Sequence, residues 1–361
     1  MKILLEIAGL HLMGGVTTFV GELANALSAL GEDVTIGTYR SIGCKGDFET
    51  HSAVRVAAIE TIEHEDFDIV HVNGLWDRDV YWASGWALKR KIPLVWSPHG
   101  MLSPWALKHH WWKKFAPWHL YLRRRLQRAS AIHVTSDLER QWVEGLQLGP
   151  VVNAPLGTHL PKEMVIKKRQ GPLEVLFVGR LHPVKGLMNL VEAAALLPRG
   201  TVHFRIVGSD DVGYQKTLQG AAVELGVGEA LDFVGPKYGA GLSKEYNQCD
   251  LMVLPSHSEN FGGVVVDALA HGRPVIASNK TPWQGLVTQH CGWWVDNSPS
   301  NLAAALTAAV GASDLAEMGV RGREWVRSDF AWDVIGAKMK TTYERLVHGG
   351  ICHELAREDS K

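Results

Sequence analysis

Pro255 to Asn279 (PSHSENFGGVVVDALAHGRPVIASN) constrains this chain more than any other stretch. Before it, Leu251 to Leu254 is a short apolar run that suits a buried strand. Ser256 to Asn260 is polar and turn-prone. Gly262 and Gly263 open a helix through Val264 to His271. Gly272 ends that helix, Pro274 follows, and Val275 to Ala277 starts the next strand. Glu259 therefore lies on a loop at the carboxyl end of a strand. The two glycines let backbone N–H groups from Asn260 to Gly263 come close to a ligand. Asp267 follows about two helical turns further on. Such a stretch suits a ligand with hydroxyls at one end, an anion in the middle and more hydroxyls beyond.

The same strand–loop–helix rhythm runs through the chain. Lys2 to Ala8 reads as a first strand, because Glu6 and the following glycine loop do not fit a signal peptide. His11 to Gly15 is its loop, Val16 to Leu30 an amphipathic helix, and Asp33 to Tyr39 strand two. This unit lacks G-x-G-x-x-G, which argues against a nicotinamide or flavin enzyme. On spacing alone Gly14-Gly15 is a tight turn. Its alternative use, N–H groups offered to a phosphate, makes Gly15 a candidate donor-binding residue. Ser41 to Ala53 is expected to be a loop. Asp68 to Asn73, Leu94 to Ser97, Ala131 to Ser136 and Val151 to Ala154 are further strands, and His71 alternates inside one of them as a core or interface histidine. His99 sits just past a strand end, where open α/β sheets place their sites. Asp77-Arg78-Asp79 is read as charge at a helix start rather than as a metal motif.

Pro155 to Gly171 reads as a linker, after which the rhythm restarts. Glu174 to Val178 is a strand, and its loop GRLHPVKG carries Arg180 and Lys185. Strands at Val202 to Val207, Leu231 to Val234 and Trp293 to Val295 alternate with helices. Trp332 to Leu346 closes the pattern as a long helix, and the tail after His348 is expected to be loose. A chain of 361 residues with this repetition is long for one core and comfortable for two domains. The expected division is 1–160 with 331–350, and 171–330. Cys44, Cys249, Cys291 and Cys352 are scattered and suit a reducing compartment rather than a disulfide or zinc framework. No stretch is long and uncharged enough to span a bilayer.

A net charge of −1 conceals one unusual segment. Val80 to Ser136 contains no Asp or Glu but ten Lys and Arg residues, and eight of the 14 tryptophans fall between Trp76 and Trp118. Pro104 to Arg128 is helical in pattern, with an expected break at Pro117. Trp111, Trp112, Lys113 and Lys114 stand at its centre. Two readings remain open: a surface that docks on the anionic inner leaflet, or a helix with buried aromatics and a solvated basic face. No nucleic-acid motif accompanies the basic residues.

Glu259-x7-Asp267, with Asn260-Phe261-Gly262 between and Gly272-x-Pro274-Val275 after, resembles the E-x7-E signature of retaining glycosyltransferases of family GT4. Asp267 stands where that family usually has Glu, one methylene shorter. Arg180-x4-Lys185-Gly186 resembles the diphosphate clamp of the same family, and SPHGMLSPWALK its bacterial surface-polysaccharide members. The resemblance implies a GT-B fold: two Rossmann-like doubly wound α/β domains facing across a cleft, with the C-terminal helix crossing back to the first. It implies transfer of a sugar from a nucleotide-diphosphate donor to a glycan or lipid-linked acceptor, without metal or cofactor, on the cytoplasmic side. Nucleic acid is not an expected partner. Arg180 and Lys185 would hold the diphosphate, Glu259 and His99 the sugar, and Asp267 the ribose. Gly208 and the Gly235-Pro236 turn would border the base. Rival readings are a non-hydrolysing nucleotide-sugar epimerase, a phosphorylase and a non-catalytic two-lobed sugar-binding protein.

Overall fold

The structure is a computed structural model and describes residues 1–9, 14–38, 52–166, 169 and 171–349. It divides into two units, Met1–Gly157 with the segment from Trp332 onward, and Thr158–Ala331.

The first unit is built on a parallel sheet. Its strands are β1 (Lys2–Ile7), β2 (Asp33–Thr38), β3 (Arg55–Ala58), β4 (Ile69–Asn73), β5 (Leu94–Ser97), β6 (Ala131–Val134) and β7 (Val151–Asn153). They lie in the order β3-β2-β1-β4-β5-β6-β7. The order reverses beside β1, where doubly wound sheets bind their ligands. Strand alternation sorts the side chains. Ile3, Leu5 and Ile7 pack with the helices Gly15–Ala29 and Trp332–Val347. Leu4 packs on the other face with Val70, Val72 and Trp96, beside Val80, Ala83 and Ala87 of the helix Arg78–Arg90.

β3 is absent from the sequence reading. Arg55-Val56-Ala57-Ala58 is a short, half-exposed edge strand with little apolar pattern to announce it. The expected loop Ser41–Ala53 falls almost entirely outside the described residues, as do His11 to Met13, Tyr39, Cys44, Cys352 and nearly all of the tail. The expected break at Pro117 is corrected. The chain turns sharply at His109 and His110, where His110 takes a left-handed φ of 50°. Pro117 instead lies inside the helix Trp111–Pro117, which runs on through a π-turn at Trp118–Leu122. The wider turn relaxes the i→i−4 ladder where proline cannot donate.

A buried polar chain ties the last helix to this sheet. His133 Nε2 lies 2.8 Å from the Ala154 carbonyl, which can only accept, so that nitrogen carries the proton. His133 Nδ1 must then accept from the Ser97 hydroxyl at 2.6 Å. Ser97 Oγ in turn accepts from His71 Nε2, and His71 Nδ1 accepts from the Tyr343 hydroxyl, each at 2.6 Å. Burial holds both imidazoles neutral, and with neutral rings that one carbonyl sets the direction of four hydrogen bonds. His71 is the core histidine its strand position suggests.

The second unit repeats the plan. Its strands are β8 (Leu173–Val178), β9 (Val202–Val207), β10 (Leu231–Phe233), β11 (Leu251–Leu254), β12 (Val275–Ser278) and β13 (Gly292–Val295). All neighbours are parallel, in the order β10-β9-β8-β11-β12-β13. Leu173, Val175 and Phe177 pack with the helices Leu187–Ala195, Tyr214–Glu224 and Pro299–Gly311. On the opposite face the helix Val264–Ala270 packs along the helix Leu315–Asp329. The segment read as a linker is no free spacer. Thr158 N–H donates to the Phe330 carbonyl at 2.8 Å, and the Arg323 guanidinium donates to the Pro161 carbonyl. Arg273 holds the Val165 carbonyl at 2.7 Å.

Candidate active site

The order of the second sheet reverses between β8 and β11, and the two loops leaving those strand ends meet. Gly179 to Gly186 follows β8. Its Pro183–Lys185 portion is a single 3-10 turn, with the His182 side chain accepting from Val184 N–H. Pro255 to Gly263 follows β11. His257 N–H donates to the Val184 carbonyl at 2.8 Å, bridging the loops. Gly186 has φ 69°, and a Cβ there would lie 1.9 Å from the Pro255 carbonyl oxygen. Only glycine permits that approach. The closure brings Lys185 Nζ to within 2.5 Å of Glu259 Oε1, on which the Ser256 hydroxyl also donates at 2.8 Å. The two charged side chains are 20% and 12% exposed, enough for a ligand to reach. Arg180, on the same loop, is exposed and makes no hydrogen bond or ion pair among the described residues. Lys185 and Glu259, far apart in sequence, thus share one locus at the sheet's carboxyl edge, while Arg180 stands unengaged on the loop that carries Lys185.

Asp267 lies on the helix that follows Glu259's loop. Its Oδ1 accepts from the Thr158 hydroxyl at 2.6 Å. Burial pushes its carboxyl up to about 6, although the Thr158 bond and nearby His159 both pull it down. A carboxylate with one local donor retains acceptor capacity for a diol. Thr158 was not a sequence candidate. It is 109 residues from Asp267 and no spacing could have announced it.

The other expected residues fall into two groups. Gly208 and Pro236 sit at the same edge of the sheet, after β9 and β10, and Gly208 N–H donates to the Gly235 carbonyl at 3.1 Å. Asn260, Gly262 and Gly263 are half-buried along the loop, with Gly262 at φ 80°. The Phe261 ring is different: it is buried, 5.0 Å from Trp283 and 6.1 Å from Phe330. Its carbonyl accepts from Trp283 Nε1 at 2.5 Å. Phe261 therefore anchors the loop through its side chain, leaving only backbone for a ligand.

In the first unit His99 follows β5 with φ 48°, a left-handed conformation that a non-glycine residue holds at a cost and that often marks function. Its Nε2 lies 2.9 Å from Asn73 Oδ1. Asn73 directs its amide nitrogen to the Glu6 and His71 carbonyls, so its oxygen faces His99 and His99 Nε2 donates. Burial, then the neighbouring His133, pushes the His99 imidazole down to about 3. The ring is neutral, with Nδ1 as an acceptor. Asn73, a polar residue ending a buried strand, was a readable signal that the sequence analysis passed over. Gly15 begins the helix Gly15–Ala29 and is exposed, with open space around the position of a Cβ.

Two family models account for most of the chain. Glycosyltransferase Family 4 matches residues 13–155, and Glycosyl transferases group 1 matches residues 162–324. The chain belongs to glycosyltransferase family 4. A D-inositol 3-phosphate glycosyltransferase of Geodermatophilus obscurus is 26% identical over 334 residues, covering 83% of this chain and 72% of the relative. Its Mycolicibacterium gilvum counterpart is 41% identical, but over 29% of this chain and only 24% of its own length. Solved structures extend the likeness to the fold. A sucrose-phosphate synthase of Thermosynechococcus elongatus has a TM-score of 0.79 at 23% identity, with 96% of this chain and 99% of that one aligned. Anabaena Alr3699/HepE in complex with UDP gives 0.76 at 20%, over 95% and 100%. WaaG, a glycosyltransferase involved in lipopolysaccharide biosynthesis, gives 0.70 at 16%, over 96% and 100%. At these identities the likeness speaks to the fold, and it is the GT-B pair of Rossmann-like domains that the strand orders describe.

Proposed function

We propose that this family 4 protein is a retaining glycosyltransferase that moves a sugar from a nucleotide-diphosphate donor to a glycan or lipid-linked glycan acceptor in surface polysaccharide biosynthesis. The observation that carries the reading is the Lys185–Glu259 pair, formed where two loops close at the switch point of the second sheet. Without ligand the two charges satisfy each other. A donor separates them: its diphosphate takes the ammonium, joined by the unengaged Arg180, and its sugar hydroxyls take the carboxylate. Charge-assisted bonds of this kind contribute roughly 1.5–3 kcal/mol each. They strengthen as the bond from the anomeric carbon to the diphosphate oxygen breaks and that oxygen gains charge, so they act on the transition state.

Asp267 receives the ribose hydroxyls, and backbone along Asn260 to Gly263 reaches the sugar and diphosphate. Gly208 and Pro236 border the base, and Gly15 offers backbone to the donor. His99 Nδ1 accepts from a sugar hydroxyl. The acceptor oxygen attacks on the face the diphosphate leaves, and its proton passes to a leaving phosphate oxygen, so no protein base is assigned. Fixed cations take the role a metal would fill. UDP in a solved fold neighbour, and the lipopolysaccharide role of another, support the donor class and the pathway class.

The test is transfer of labelled sugar from a panel of nucleotide sugars to extracted lipid-linked acceptors, with the product's anomeric configuration read by NMR. Lys185→Ala and Arg180→Ala should each lower kcat by about tenfold or more with a smaller change in KM. Equal rates in all three proteins would remove the clamp. Epimerised donor without acceptor would make the protein an isomerase instead.

A further inference from the structure

We propose that the surface made by the helices Pro104–Lys108 and Trp111–Pro117 and the π-turn after them docks on an anionic lipid bilayer. The transfer reading explains why a membrane would be useful. The surface itself stands on its own residues.

The tryptophan-rich segment separates into two populations. Trp96 is fully buried and donates to the Gly74 carbonyl at 2.8 Å, and half-buried Trp86 donates to the Glu63 carbonyl at 3.2 Å. Those rings build the unit. Trp105, Trp111, Trp112 and Phe115 are instead 56–62% exposed, and Leu120 is 72% exposed. Trp111 meets Phe115 edge-on at 6.3 Å, and Phe115 leads on to His119 at 4.5 Å. An amphipathic helix made only to pack would turn these side chains inward. A run of large exposed apolar groups marks a contact surface.

The charges sort in the same way. Arg125 covers the Tyr81 ring and donates to the Tyr81 carbonyl, and Lys114 donates to the Ala106 carbonyl with its ammonium 5.4 Å from the Trp76 ring. Those two are occupied structurally, so Lys114 leaves the docking set that the sequence suggested. Lys108, Lys113, Arg123, Arg124 and Arg128 are exposed, and no carboxylate lies between Val80 and Ser136. The segment thus combines exposed apolar side chains with exposed charges of one sign. Anionic headgroups over acyl chains complement both features, with tryptophan at the polar boundary. Phe115 and Leu120 have no polar edge and gain little from a nucleic-acid backbone, whereas acyl chains accept both.

Flotation of the full chain with phosphatidylcholine vesicles, with and without phosphatidylglycerol, tests this. The protein should float with the anionic vesicles and be released as salt shortens the Debye length. The triple variant Trp111→Ala, Trp112→Ala, Phe115→Ala should lose about tenfold or more of its partitioning. The exposed-charge variant Lys113→Glu, Arg123→Glu, Arg124→Glu should lose the preference for anionic lipid and serves if the aromatic variant folds poorly. Both should keep nucleotide binding, which separates this outcome from any failure of the transfer reading. Wild type that ignores vesicles, or variants that bind them equally well, would overturn the proposal. So would an aromatic variant that loses dimers or RNA binding while its vesicle binding stays intact.

Discussion

Asp267 shows what a buried carboxylate costs its own fold. Its carboxyl titrates near 6 rather than 3.8, so the nucleotide-free protein gains stability from it below about pH 4 and loses that gain as pH rises through 6. At neutral pH the burial of charge works against folding. Asp267→Asn should therefore raise the Tm of the ligand-free protein, by the equivalent of about 1–3 kcal/mol, while weakening nucleotide binding. A variant that lost both would make Asp267 structural. Donor affinity should fall as pH drops through about 6, and Thr158→Val, which removes a bond that lowers this pKa, should move that limb upward. An unmoved limb in a calorimetric pH series would mean that another group governs binding. At this scale the sequence was legible where motifs are local: Glu259, Lys185 and Asp267 came from the family resemblance of their stretches, and Lys185 and Glu259 meet in space. Thr158 and Ser256 were not legible, because hydroxyls carry little signal until folding shows what they touch.

Among the elements, the directed chain from Tyr343 to the Ala154 carbonyl joins a helix to four strands or their ends. Tyr343→Phe would leave His71 Nδ1 buried without a donor, which should cost about 1–3 kcal/mol in urea unfolding. A null effect would show that the helix is held by packing alone. Burial, aided by His133, lowers the His71 pKa well below its usual 6.5, and burial first lowers His133 to about 4. The unfolded chain binds protons on these groups before the folded one does. Stability from them is complete above about pH 6.5 and should decline as pH falls toward 4, which a pH series of urea midpoints would record. The β–α rhythm was legible because apolar runs and glycine stops announce buried parallel strands. β3 was not, since an edge strand needs little hydrophobicity. Nor was the true break at His109 and His110, where a left-handed histidine did what proline was expected to do.

At the scale of the whole molecule the role proposed for Arg180 and Lys185 makes a categorical prediction. Chelators should leave transfer undiminished, and an absolute divalent requirement, measured after exhaustive dialysis, would replace Arg180 and Lys185 as the source of charge neutralisation. The doubled architecture was readable because one pattern restarts after a polar stretch. The packing of that stretch was not, since its contacts run to residues more than a hundred positions away.

The helix Trp332–Val347 belongs to the first unit, yet it follows the whole of the second in the chain. It fills the first core with Ile335, Met339, Tyr343 and Leu346, and at Gly336 it lies so close to the helix Gly15–Ala29 that an added Cβ would come within 2.8 Å of Ala26 Cβ. During synthesis the first unit must therefore wait, one groove open, until the second unit and this helix have left the ribosome. Its contiguous neighbour can finish folding first. A stop codon just before Trp332 would damage a unit whose sheet is encoded more than a hundred residues upstream.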